Sequence, residues 1–189
     1  MPPKIRCPWC PPGDELYEIY HDTRWGVPEY DGLKLFEMLN LEGAQAGLSW
    51  RTVLGRIDNY RKEFDDFDPL AISKWSEARI AKALLNPGII RNRLKVAGVV
   101  KNARAFMTHF KGDPELFSRF LWDFVDGKPI KNRFRELNDF PARTEISDRM
   151  SKELKRRGFT FVGSTICYAF MQATGMVNDH TVTCFRFGK

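Results

Sequence analysis

Apolar residues recur every three to four positions along most of this chain, and no sustained two-residue alternation demands a strand, so the pattern predicts an all-α fold. Leu16, Tyr17 and Tyr20 have helical spacing from Asp14 to His21; Asp14 is placed to cap, and Tyr17, Tyr20 and His21 share a face just before Trp25. From Asp31, a fair N-cap, the run DGLKLFEMLNLEGAQAG sets Leu33, Phe36, Leu39 and Leu41 among polar residues. Val53, Leu54, Ile57, Tyr60 and Phe64 predict one helix from Thr52 to Phe64. Asp68-Pro69 opens a short helix, and Ser76 caps EARIAKALLN. Asn86-Pro87-Gly88 stops that helix, and IIRNRLKVAGVVKNARAFMTHF starts the next after a very short turn. Pro114 to Val125 is an aromatic-rich amphipathic helix. Asp126 to Glu145 is polar and weakly periodic, which predicts a loop between two halves of the fold. Ser147 is expected to cap DRMSKELKRRG, which Gly158 ends. Phe161 to Thr174 is apolar nearly all round and predicts a buried central helix, with Cys167 as a small hydrophobe inside it.

The length of 189 residues suits one domain, residues 1–189, large enough to fold without staples. A net charge of +6 is a mild bias toward a polyanionic partner, and it needs particular residues behind it. The start of the chain, MPPKIRCPWCPP, lacks the apolar run of a signal peptide, and no later stretch is long enough to span a bilayer. The expectation is a soluble, cytoplasmic protein with no membrane partner. In a reducing compartment the four cysteines are free thiols or metal ligands and not a disulfide framework.

Three stretches carry candidate chemistry. In LEGAQAGLSW, Leu41 to Trp50, an acid and a large aromatic are set among residues too small to crowd them. A helix places Glu42, Gln45 and Ala46 on one face, a plausible pocket wall. Taken alone, the stretch is more simply a tight corner between helices, with Glu42 capping a neighbour and Trp50 filling the core. In the second stretch, near residues 76–110, two helices flank Pro87-Gly88 like a helix-hairpin-helix element. Gly88 permits close backbone approach, and Arg91, Arg93 and Lys95 at the helix start oppose its dipole in a way that an external phosphate would relieve. The third set lies at the chain ends, residues 1–30 and 176–189. Cys7, His21, His180 and Cys184 make the Cys₂His₂ set that a tetrahedral zinc takes; His180 and Cys184 are one turn apart if a helix resumes there. Cys10 is a fifth candidate for four seats, and two unrelated thiol pairs remain the alternative.

Laid side by side, these pieces resemble the 3-methyladenine DNA glycosylase I family over nearly the whole chain. The motifs are CPW at Cys7, LYEIYHD at Leu16, WGVPE at Trp25, LFEMLNLEGAQAGLSW at Leu35, GIIRNR at Gly88, KRRGFTFVGSTICYAFMQATG at Lys155 and VNDH at Val177. The resemblance implies a helix-hairpin-helix glycosylase fold and hydrolysis of the N-glycosidic bond of 3-methyladenine in double-stranded DNA. It also implies one structural zinc on Cys7, His21, His180 and Cys184, leaving Cys10 without a role. The implied base pocket is Glu42, Tyr17, Tyr20 and Trp50, with Trp9 and Trp25 at aromatic positions of the same region. One departure is Ala44, where a relative has a second glutamine. The C-terminal tail is also short after Cys184.

The substrate explains the residue types. A methyl group on N3 makes adenine cationic and weakens its glycosidic bond, so the task is to find and hold the lesion more than to force the bond. An aromatic box stacks on a flipped cationic base, and a carboxylate takes its amine hydrogen and offsets its charge. The run after Gly88 offers Arg91, Arg93, Lys95 and Lys101 but no carboxylate before Phe106, which fits a monofunctional enzyme acting, as a monomer, on an already activated leaving group. Competing readings are a catalytically silent, zinc-stabilised binder of damaged DNA, and a zinc hydrolase with Glu42 as base.

Overall fold

The computed structural model describes residues 4–189. Among these it holds ten α-helices and a single two-stranded sheet, so the fold is all-α. Asp14 caps α1 (Glu15–Thr23) by accepting from the Tyr17 amide, and Asp31 caps α2 (Gly32–Gln45) by accepting from those of Leu33 and Lys34. The helix expected from Thr52 to Phe64 is in fact two, α3 (Trp50–Leu54) and α4 (Ile57–Glu63). Gly55, a poor helix former, ends the first. The Arg56 guanidinium then takes the Thr52 carbonyl at 2.8 Å, which seals the break. The apolar spacing marked the correct face nonetheless, because Val53, Ile57, Tyr60 and Phe64 are all buried.

Asp68 and Ser76 cap α5 (Pro69–Ser73) and α6 (Glu77–Ala83) as expected. The next helix, α7 (Arg93–Phe110), starts later than expected, capped by Asn92. Residues 89–92 stay outside it: the Ile90 carbonyl accepts from the Asn92 amide at 2.8 Å, a tight non-helical turn, and the Ile90 amide donates to the Tyr60 hydroxyl at 3.1 Å. After it, α8 (Pro114–Trp122) passes into a single 3-10 turn, Asp123–Val125. The Asp126–Glu145 loop carries β1 (Ile130–Lys131) and a one-turn helix, Leu137–Asp139. Thr144, not Ser147, caps α9 (Glu145–Arg156). Ser147 is its reciprocal partner, Oγ accepting from the Thr144 amide at 2.9 Å while its own amide donates to Thr144 Oγ1 at 3.2 Å. The buried helix α10 (Ser164–Ala173) begins at Ser164, because Phe161 sits in a left-handed turn with φ of 55°. The chain then forms β2 (Val177–Asn178), parallel to β1, with Ile130 opposite Val177. Two residues per strand are too few to show alternation in the sequence.

The helix α2 runs through the middle, packed by α3, α7, α8 and α10. A phenylalanine cluster joins it to α7 and α8: Phe36 to Phe106 at 5.3 Å and Phe106 to Phe117 at 5.0 Å between ring centroids. The buried Asn102 side chain adds direction, donating to Asn40 Oδ1 at 2.9 Å while its oxygen accepts from the Thr160 amide at 2.7 Å. Phe161 is wedged behind this pin. A β-carbon on Gly43 would lie 3.0 Å from Phe161 Cβ, and one on Gly98 2.8 Å from its ring, so both helices need glycine there. The small residues of α2 thus admit the chain's own Phe161 as well as framing a pocket. Among the described residues no helix is long and apolar enough to cross a membrane.

Candidate functional site

At the C-terminal end of α2 a cavity of about 380 Å³ opens between three walls. The first is aromatic: Trp9, Tyr17, Tyr20 and Trp25 from the N-terminal segment and α1, joined by Trp50 at the start of α3. Trp9 and Trp25 meet edge to face at 4.8 Å, Trp9 and Tyr17 at 5.9 Å, and Tyr20 lies 5.5 Å from Trp50. The indole nitrogens of Trp9 and Trp50 have no hydrogen-bond partner among the described residues. The Tyr17 hydroxyl accepts from the Arg51 amide at 3.1 Å, which ties α1 to α3.

Glu42 and Gln45 form the second wall, both on the face of α2 that the helical spacing predicted. Ala46 lies past the end of the helix and is not among the lining residues. Ala44 faces α7 and not the cavity, so the departure there leaves the site unchanged. Glu42 is only 4 % exposed. Burial alone pushes its carboxyl up to about 8, because no cation or donor among the described residues compensates it. Tyr20 is buried beside it. Desolvation first and the Glu42 charge second raise its hydroxyl well above the ordinary value, so it stays a neutral donor.

The third wall escaped the sequence analysis. Leu137 and Phe140 come from the segment expected to be a loop between two halves of the fold, and Thr165, Tyr168 and Gln172 come from α10. The signal was present in α10, since these three are spaced three and four apart and put polar tips on one face of a helix that otherwise reads as apolar.

Behind the aromatic wall, Cys7, His21, His180 and Cys184 are all buried, and their ligand atoms lie within 4.8 Å of one another. Among the described residues no helix resumes after α10; a turn from Thr181 brings His180 and Cys184 together. Cys7 Sγ and Cys184 Sγ lie 3.4 and 3.5 Å from His180 Nδ1, and Cys184 Sγ lies 3.5 Å from His21 Nε2. Tetrahedral zinc, with sulfur near 2.3 Å and nitrogen near 2.0 Å, spaces such neighbours by roughly 3.6 Å, so the set fits that ion. Both imidazoles turn a lone pair inward. His21 Nδ1 donates to Asp22 at 2.9 Å, and His180 Nε2 donates to the Trp25 carbonyl at 3.1 Å. Burial works against the Asp22 carboxylate, yet Arg6 and His21 together hold it at about 2. The Cys7 hydrogen bond, then His180 and His21, draw the Cys184 thiol far below its usual range. Cys10 stands outside the group, and burial pushes its thiol up to about 11.

The hairpin is more occupied than its sequence suggests. The Gly88 amide donates 2.8 Å to Asn86 Oδ1, and a β-carbon at Gly88 would lie 2.9 Å from Asn59 Cγ, so this glycine is needed for packing. Arg93 is exposed and paired with Glu77 at 2.7 Å, while Arg91 is exposed ahead of α7. Lys95 does not face an external phosphate. It is half-buried and donates to the carbonyls of Ala44 at 2.8 Å and Ala46 at 2.7 Å, the negative end of α2.

Comparison with known proteins supplies a context for this geometry. A DNA-3-methyladenine glycosylase of Haemophilus influenzae is 49% identical over 180 residues, covering 95% of this chain and 96% of that protein. A crystal structure of 3-methyladenine DNA glycosylase I superposes with a TM-score of 0.93 at 50% identity, over 97% of this chain and 100% of the other. A variant of 3-methyladenine DNA glycosylase I in complex with 3-methyladenine superposes with a TM-score of 0.89 at 32% identity, over 94% and 95% of the two chains. The methyladenine glycosylase family profile matches residues 9–187. With that match spanning almost its entire length, the chain belongs to the methyladenine glycosylase family.

Proposed function

We propose that the protein is a monofunctional DNA glycosylase that excises 3-methyladenine from alkylated double-stranded DNA by hydrolysing the N-glycosidic bond, the first step of base excision repair. The observation that carries this reading is the uncompensated, buried Glu42 at the wall of an aromatic cavity. Such a carboxyl is least stable when ionised and alone, and a bound cation is what stabilises it. A flipped 3-methyladenine brings that cation, an amine hydrogen for the carboxylate and a flat ring for Tyr17, Tyr20 and Trp50. Stacking contributes about 1–3 kcal/mol per base and desolvated cation–π contact ~2 kcal/mol. Neutral adenine loses both the charge term and the easier extrusion. When water attacks the sugar C1′, the C1′–N9 bond electrons return to the ring, which leaves as neutral 3-methyladenine, and the proton of the water passes to solvent. No lysine lines the cavity among the described residues, so no amine is at hand to capture the sugar and cut the strand.

The chain acts as one domain and a monomer in this reading. One zinc ion held by Cys7, His21, His180 and Cys184 ties the N-terminal segment to the C-terminal turn; four protein ligands leave no open position, so its role is structural. Phosphate contact falls to Arg91, Arg93 and the hairpin around Gly88. The test is release of free methylated bases from methylated duplex by wild type and Glu42→Gln. Wild type is expected to liberate 3-methyladenine and the variant to lose most of that preference. Binding of damaged DNA with no free base released would leave a silent binder instead.

A further inference from the structure

One buried carboxylate behind the α10 wall of the cavity is not used by the reading above. Asp179 is 0% exposed and directly precedes His180. Its Oδ2 accepts from the Tyr168 hydroxyl at 2.6 Å and from Gln172 Nε2 at 2.8 Å, and its Oδ1 accepts from Asn132 Nδ2 at 2.7 Å. Tyr168 and Gln172 are one turn apart on α10 and both line the cavity. Asp179 is itself fixed, because the segment from Met176 to Thr181 is buried throughout and the Asn132 amide donates to the Asn178 carbonyl at 3.1 Å.

These contacts decide which way an ambiguous side chain points. A primary amide offers a donor end and an acceptor end, while a carboxylate offers only acceptors. Gln172 therefore turns its NH₂ toward Asp179, and Oε1 is the polar atom left to the cavity. We propose that Asp179 is a positioning residue for base selection: by orienting Gln172 it gives the cavity a second acceptor, which favours the amine at C6 of 3-methyladenine over the carbonyl oxygen at C6 of 3-methylguanine. An amine donates to such an atom. A carbonyl oxygen placed there leaves two acceptors facing each other, each without a donor.

This inference rests on the glycosylase reading and is tested on a different quantity, the ratio of 3-methyladenine to 3-methylguanine released from one methylated duplex. In Asp179→Asn the new NH₂ can donate to Gln172, which reverses its amide and turns a donor into the cavity. The release ratio is expected to fall by about tenfold, the scale set by one unpaired buried polar group, with metal content and melting temperature near wild type. Gln172→Met removes the acceptor directly and is expected to lower the ratio as well, and adding Asp179→Asn to it should change the ratio no further. A general loosening would lower release of both bases and leave their ratio alone. If either folded variant keeps the wild-type ratio, or wild type releases both bases equally, the proposal is overturned. Should Asp179→Asn fail to fold, Gln172→Met decides alone. If wild type releases no 3-methyladenine, it is the glycosylase reading that has failed.

Discussion

Lys95 reaches from α7 to place its ammonium 2.8 Å from the carbonyl oxygen of Ala44, at the end of the helix that carries Glu42. It joins the hairpin around Gly88 to the cavity wall that carries Glu42 and Gln45. Burial lowers the pKa of this lysine, which marks the desolvation that its bonds to Ala44 and Ala46 must offset. Lys95→Met is expected to lower folding stability by about 1.5–3 kcal/mol, the range for hydrogen bonds to a charged group. Lys95→Arg should recover part of it. Urea denaturation of the three proteins measures this, and equal midpoints would show that the contact contributes nothing.

Glu42 sets stability and activity against each other with pH. Its carboxyl is raised from the ordinary 4.5 to about 8 by burial. Between those values the folded chain holds a proton that the unfolded chain has released, so the stability this group permits is full below 4.5 and declines as pH rises through 8. The slope is at most ~1.4 kcal/mol per pH unit. The Glu42→Gln variant should lack that component, which appears as the difference between the two stability curves. Activity should run the other way. The form that attracts a cation is the carboxylate, so wild-type kcat/KM should climb toward a plateau above about 8 while the variant stays low and flat.

The metal group makes a separate prediction. Atomic absorption should find one zinc per chain. Chelation should lower the melting temperature, since even ~4 kcal/mol of lost binding energy amounts to roughly 8–16 °C for a chain of this size. Loss of activity with an unchanged melting temperature would instead make the ion catalytic.

Arg91 should act on DNA and not on the base. Arg91→Ala is expected to weaken binding to any duplex and to reduce the slope of log affinity against log salt by about 1, the share of one phosphate contact. Equilibrium binding of free 3-methyladenine should not change. A variant that loses the free base as well would place Arg91 in the pocket's support.

The sequence by itself determined the local features: the caps at Asp14, Asp31, Asp68 and Ser76, the buried face of α4 and, apart from the exposed Leu33, that of α2, and the common face of Glu42 and Gln45. Each is encoded within four residues of itself, as side chains that satisfy nearby amides or repeat at the helical period. Its motifs also named the aromatic wall and the four metal-binding candidates, though spacing could not choose between Cys7 and Cys10. The family resemblance named Cys7, and the physical reason lies in the tertiary structure, because the choice depends on where His180 and Cys184 arrive from the other end of the chain. The same holds for Lys95, whose place at a helix start points to a phosphate and whose charge is held by carbonyls about fifty residues away, and for Gln172, whose orientation is set by a carboxylate beyond the end of its helix. Periodicity records which face of an element is buried. It carries no imprint of which distant group that face will meet, and in this protein those meetings decide how the site is assembled.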